Sequence, residues 1–385
     1  LRHLQPKVVL YFILFLIFIS IHMQFPVFTP LAVSLGAGSM LVAIMLSVTS
    51  FVNLGGNLLA GSAIDRLGVR GFIVFPLFFL SISLFAHTFI METTHLFTLR
   101  VINGLILAFL TPACMTMLAT FAKNSKEQSK NMAMNTLMVT AAMTIAPVLG
   151  GWLGERYGAD GAYYAISFTT FLAFLLAVRF LPQTKTVRSQ GQSNGGVFSL
   201  LSYKRLYPVF LTAFAIMFAQ GTLMYELPFL TVENGIPKDN VGKMAGMIGV
   251  GTFFILGIVL LHRISAKFRT VLGLLIMATS TAMMMFSTTI PSLWTLFLFG
   301  IASGIIFPAM MTLLTENIEE ANRGKAFAFL SAVFSVGTIT APFVSGLIRD
   351  NLSPYFIAWI VLMLAVTFIG IKYLSIEKKS PVVLE

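Results

Sequence analysis

The chain is short of charge. Asp, Glu, Lys and Arg make up 10% of its 385 residues, and hydrophobic side chains 57%, whereas soluble domains carry about 25% charged residues. Most of such a chain cannot face water. Negative charge is the scarcer sign, with 14 acids against 25 Lys and Arg and a formal net charge of +11. The single cysteine, Cys114, excludes a disulfide framework and a multi-cysteine metal site. There is no H-E-x-x-H pair, no nucleophile elbow and no phosphate loop, so the pattern points to no intramembrane enzyme, metal centre or cofactor. The short alternating segments of a β-barrel, about 10 residues each, are missing as well.

Continuous apolar runs of helix-spanning length are present instead, since about 20 residues cross the roughly 30 Å hydrocarbon core. Twelve are expected, near 8–34, 40–63, 72–91, 96–121, 131–154, 161–181, 207–231, 241–261, 270–288, 292–315, 325–348 and 354–374. The first follows basic residues like a signal peptide, but it continues to about Ser34 without a small-residue cleavage pattern and reads as a retained helix. One long hydrophilic connection divides the runs six and six. The expected organisation is an N-terminal bundle over 1–181, a linker over 182–205, a C-terminal bundle over 206–374 and a tail over 375–385. The fold class is therefore an all-α integral membrane protein of twelve transmembrane helices.

Assigning the inter-segment stretches to alternate sides collects 20 of the 25 Lys and Arg on one side, together with both termini and the central linker. The positive-inside rule makes that side cytoplasmic. The excess positive charge is thus topological, and a nucleic-acid partner is not expected. The partners implied are a lipid bilayer, in a multi-pass plasma-membrane protein, and a small molecule; a monomer is expected.

The two halves repeat. "PACMTML" at 112–118 returns as "PAMMTLL" at 308–314, a spacing of 196, and "IAPVLGG" at 145–151 as "TAPFVSG" at 340–346, a spacing of 195. An even number of segments per half gives both halves the same orientation, a parallel repeat about an axis along the membrane normal. Transporters built this way hold substrate between the halves.

Three motifs carry a family resemblance. The first is Gly61-x-x-x-Asp65-Arg66-x-Gly68-x-Arg70, between segments 2 and 3. Its arginines suit the negative C-terminal end of segment 2, while Asp65 sits on the unfavourable side of that dipole and needs a partner. The second is Leu96-x-x-x-Arg100-x-x-Asn103-Gly104-x-x-x-Ala108 in segment 4. An arginine within a span costs about 2.5–3.5 kcal/mol on insertion scales and faces a bundle interior unless it snorkels. The third, in segment 5, is a small-residue stretch of Ala133, Ala142, Ala146, Pro147, Gly150 and Gly151. Small residues let helices approach closely in lipid, and proline permits a bend.

With these motifs the whole chain resembles the major facilitator superfamily, specifically its twelve-helix drug:proton antiporters. The resemblance implies that Gly61, Asp65, Arg66, Gly68 and Arg70 form a cytoplasmic gate and that Arg100 is linked to proton transfer. It also implies that Ala142, Ala146, Pro147, Gly150 and Gly151 form the antiporter motif of exporters. Alanine stands at three positions, 133, 142 and 146, where the family has glycine, and Asn103 replaces its commoner glutamine.

Candidates for proton or substrate contact follow from intramembrane polarity. Glu226 is the acid well inside a span, and ionisable residues there are functional by default. His22, near the middle of segment 1, has an unperturbed pKa suited to reversible protonation. Gln24, Asn53, Asn57, Asn103 and Gln220 are further polar candidates. Family members often carry an acid in segment 1, and this chain has none. The 37 Phe and 21 Met residues face lipid, pack helices or line a compliant pocket.

The function expected is secondary active transport by alternating access. A proton gradient is the expected energy source, and the cargo is a small amphipathic molecule moved outward. Drugs are one cargo and a dedicated metabolite, such as an opine-type metallophore, is another. An importer or uniporter is the alternative transporter, and a membrane receptor is disfavoured because the central linker is too short to hold a signalling domain.

Overall fold

The structure, a computed structural model, describes residues 5–122, 124–183, 203–258, 264–287, 290–319 and 323–377. Within its helices, side chains at 58–59, 61–63, 65–67, 125–126, 129, 204, 323–324 and 371–377 lie outside the description. Apolar segments in lipid must satisfy every backbone group internally, which leaves helices as the form for such runs. The elements are α1 (Pro6–Met23), α2 (Phe25–Ser34), α3 (Ser39–Leu67), α4 (Gly71–Ala86), α5 (Thr93–Thr120), α6 (Ser125–Phe180), α7 (Tyr207–Glu233), α8 (Lys238–Leu256), α9 (Ala266–Met285), α10 (Leu293–Glu316), α11 (Arg323–Ile348) and α12 (Pro354–Glu377). No strand occurs among the described residues.

These helices are compatible with the twelve expected spans. The first span is α1 and α2 together, separated at Gln24 just before Pro26, and the fifth and sixth are the two limbs of α6. The sequence expected a bend at Pro147, but the backbone stays helical through it. The single non-helical residue of α6 is Gly158, with φ 74° and ψ −178°. A side chain pays heavily for that conformation, which is reserved for glycine. Gly158→Ala is therefore expected to destabilise the protein by about 1–3 kcal/mol, although no atom stands within 4 Å of the added Cβ. A melting curve in detergent checks this; an unchanged midpoint would show that the turn re-forms without strain.

Packing divides the chain into two compact units, but not at the linker alone. One unit comprises Leu1–Gln190 with Met224–Gly249, and the other Gly191–Leu223 with Val250–Glu385. The chain-order bundles of the sequence thus exchange the outer part of α7 and most of α8. The reason lies in α8, whose Gly242, Gly246 and Gly249 abut Pro147, Val148 and Thr144 of α6. Glycines allow helix backbones to meet at this distance.

In the first unit α1 packs along α6, α3 along α5, and α4 against both α5 and α6. In the second, α9 packs against α10 and α12. Each unit repeats one further device. The Thr49 hydroxyl of α3 donates to the Arg100 carbonyl of α5 at 3.3 Å, and the Thr252 hydroxyl of α8 donates to the Gly300 carbonyl of α10 at 3.0 Å. One glycine lets the helices meet at each crossing: a Cβ on Gly104 would lie 2.5 Å from the Thr49 carbonyl oxygen, and one on Gly304 would lie 3.0 Å from that of Thr252. The internal repeat is therefore visible in packing as well as in sequence.

Candidate functional site

In α5, Leu96, Arg100, Asn103, Gly104 and Ala108 are all buried. Their spacing of three and four puts them on one helix face. That face turns toward the bundle, because Gly104 rests on Thr49 and Ala108 meets Gly56 of α3. Arg100 consequently lies inside the first unit, 8% exposed, and does not snorkel to the surface.

The guanidinium of Arg100 sits 3.4 Å from the ring centroid of Phe28 on α2, a cation–π contact. The Tyr163 hydroxyl of α6 lies beside the guanidinium and interacts with it both electrostatically and as a loose side-chain hydrogen bond. Tyr163 stacks in turn on His87, just past α4, with ring centroids 4.4 Å apart and an interplanar angle of 16°. His87 Nδ1 faces the Ser83 carbonyl at 2.8 Å. A carbonyl only accepts, so the Nδ1 carries the proton and Nε2 of the neutral ring is an acceptor. Among the described residues no carboxylate lies within ion-pair distance of Arg100.

Buried polar atoms are ordinarily paired, and exceptions call for a cause. Here Arg100 Nε, Asn103 Nδ2 and Oδ1 and His87 Nε2 are all buried without a hydrogen-bond partner among the described residues. His87 and Tyr163 escaped the sequence reading. Both fall near the ends of apolar segments, where aromatic residues commonly mark the membrane interface; nothing local told them from such a belt.

The other candidates are dispersed. Glu226 is 4% exposed and belongs to the outer part of α7 that clusters with the first unit, so it is not a water-exposed rim residue. Its neighbours Tyr225 and Phe229 share a hydrophobic cluster with Phe28 and Leu96. His22 is partly buried and stacks on Phe18 with centroids 6.5 Å apart. Gln24 Nε2 donates to the Ser20 carbonyl at 3.1 Å. Asn57 donates to Asn53 one turn away on α3 at 2.9 Å. Gln220 lies in the second unit and donates to the Ser303 hydroxyl at 3.4 Å.

The segment 5 stretch is a packing surface. Ala142, Ala146, Pro147, Gly150 and Gly151 are all buried. A Cβ on Gly150 would strike the Met23 carbonyl of α1, and one on Gly151 would lie 2.5 Å from the Lys238 carbonyl oxygen of α8. Glu155 completes this crossing by accepting a hydrogen bond from the Lys238 backbone N–H at 2.9 Å. Ala133, by contrast, is exposed, so its small size serves no contact in this arrangement. The repeat partner of Gly150, Ser345, hydrogen-bonds Thr222 of α7 at 3.5 Å.

For the 61–70 motif, the side chains of Gly61, Asp65 and Arg66 lie outside the described residues. Gly68, with φ 92°, ends α3, where a left-handed backbone favours glycine. Arg70 does not serve the end of α3 as the sequence suggested. It donates to the Val178 carbonyl in the last turn of α6 at 2.6 Å, because helix-terminal carbonyls lack intrahelical partners.

Comparison with known proteins agrees with this architecture. The chain is 26% identical over 337 residues to the Multidrug resistance protein MdtG of Proteus mirabilis, covering 83% of this chain and 81% of that one. It is 24% identical over 384 residues to Multidrug resistance protein 1 of Bacillus subtilis, covering 96% and 95%. Its fold superposes on a crystal structure of the nucleoside transporter NupG with a TM-score of 0.74 at 16% identity, over 98% of this chain and 100% of that one. The Major Facilitator Superfamily model matches residues 10–320 and 291–384. With its helices, its repeated crossings and that match over nearly its whole length, the chain belongs to the Major Facilitator Superfamily and is a multi-pass membrane transporter, not an enzyme.

Proposed function

We propose that this transporter is an antiporter of the plasma membrane that exports small amphipathic molecules in exchange for protons. The observation that carries the reading is the packing of Gly150 and Gly151 against α1 and α8. The stretch resembling the exporter motif is a close-packed crossing of the kind that small residues allow in lipid. The transport cycle proposed is alternating access, in which transporter halves rock about a central site. Support for outward drug transport comes from relatives named for multidrug resistance. Glu226 and Arg100 are the charged groups inside the spans on which a proton or cargo would act. The charge bias supports a cytoplasmic side for the termini and linker, and in this reading Asp65, Arg66 and Arg70 form a gate on that side. The cargo is a drug-like compound or one dedicated metabolite.

Reconstituted vesicles with an acidic lumen test the proposal. Fluorescent amphiphiles of positive, zero and negative charge are offered outside. An antiporter is expected to accumulate at least one of them while the lumen turns more alkaline. Accumulation that survives collapse of both the pH gradient and the voltage would remove the proton from the mechanism.

A further inference from the structure

We propose that the Arg100 cluster binds the carboxylate, or an equivalent anionic group, of an organic molecule. The inference rests on the exporter reading and names the charge of the cargo group that this site takes. Arg100 is more than nine-tenths buried, and its charge meets no carboxylate among the described residues. The described acids of the first unit are occupied or turned away. Glu127 pairs with Lys7 at 3.1 Å, Glu155 accepts from Lys238, and Asp239 pairs with Lys243 at 2.7 Å. Glu92, Asp160 and Glu233 are exposed, and Glu226 has interactions of its own.

The groups around Arg100 match an anion in type as well as charge. Arg100 Nε and Asn103 Nδ2 supply two donors without a partner, and the Tyr163 hydroxyl, which faces the guanidinium through its oxygen, keeps its proton as a third. Hydrogen bonds from such donors to an ionised acceptor are the strong ones. His87 Nε2 and Asn103 Oδ1 remain as acceptors for a hydroxyl or N–H of the same molecule. An organic cation finds the opposite, a buried positive charge and no acid. Phe28 covers one face of the guanidinium and offers a ring to the apolar part of the ligand. It is carried on α2, a ten-residue helix separated from α1 at Gln24 and containing Pro30.

The test uses the purified full chain in detergent and three probes with one ring system: 2-naphthoate, 2-naphthamide and 2-naphthylmethylammonium. The naphthoate alone is expected to raise the melting temperature, because a ligand that binds the folded state stabilises it. Arg100→Gln is expected to abolish the shift. Tyr163→Phe is expected to weaken apparent affinity by about tenfold, the worth of one hydrogen bond to a charged group. Equal shifts with the amide or the ammonium overturn the proposal, as does an equal shift with sodium sulfate at matched ionic strength. A naphthoate shift that persists in Arg100→Gln overturns it too. If that variant does not fold, the probe series on the unmodified chain and Tyr163→Phe decide, and an undiminished affinity in Tyr163→Phe counts against the site. Naphthoate selectivity without proton-driven transport in vesicles would sink the coupling reading and leave this site standing.

Discussion

Gly150→Ala is expected to stop transport and to lower the melting temperature more than any other single methyl added to the segment 5 stretch. The new Cβ points at the Met23 carbonyl of α1, with the Met23 carbon and Cα close behind. All three are backbone atoms, so no rotamer change relieves the collision. Overpacking a rigid contact costs typically about 1–3 kcal/mol and occasionally more, and here α1 must shift from α6 along its length. Because α6 also meets α8 at the next residue, the displacement reaches that second crossing as well. Gly55→Ala on α3 is the control. Nothing stands within 4 Å of its Cβ, and an alanine in an exposed helix position is favourable by roughly 0.5–1 kcal/mol. Measuring melting temperature and vesicle transport for both variants separates a specific crossing from general sensitivity to added bulk. Gly150→Ala with normal transport would mean that α1 and α6 are not held at this distance in the working protein. The alanines already present at 142 and 146 make the prediction pointed, because both are fully buried and tolerated.

Glu226→Gln is expected to abolish uphill transport while leaving downhill exchange measurable. Glutamine keeps the size of the side chain and most of its hydrogen-bonding reach, but it cannot take up or release a proton. Glu226 is buried in the part of α7 that clusters with the first unit, where an acid is expensive unless its charge is used or compensated. If the proton is its function, the amide uncouples the cycle, and pH-driven accumulation falls to the level of protein-free vesicles. If Glu226 serves only packing, the amide is nearly neutral and pumping continues. Substrate counterflow, which requires no proton gradient, shows whether the variant still cycles; normal pH-driven pumping by Glu226→Gln would remove it from the proton path.

Much of this molecule was readable before any coordinates. Membrane residence, the run of spans, the charge asymmetry and the parallel repeat follow from how each segment partitions between lipid and water. That partition depends on a segment's own composition and hardly on its neighbours. Arg100 was legible as an intramembrane charge with a snorkelling alternative, and only its burial in the bundle decided between the two. Position along the chain could not say which side chains meet. His87, Tyr163 and Phe28 come from three distant stretches and converge on Arg100 only because α2, α5 and α6 pack at particular rotations. Asn53 and Asn57, good candidates for a shared cavity by polarity, hydrogen-bond each other on one helix instead. Pro147 looked like a bend in segment 5, yet the backbone keeps helical dihedrals there, and the one non-helical residue of α6, Gly158, falls in the short stretch expected between segments 5 and 6, where the chain adopts a conformation reserved for glycine. Composition thus determined the solvent each segment lives in. The tertiary structure alone decided partnership, since helix rotation and close approach of backbones depend on contacts between residues that the chain keeps far apart.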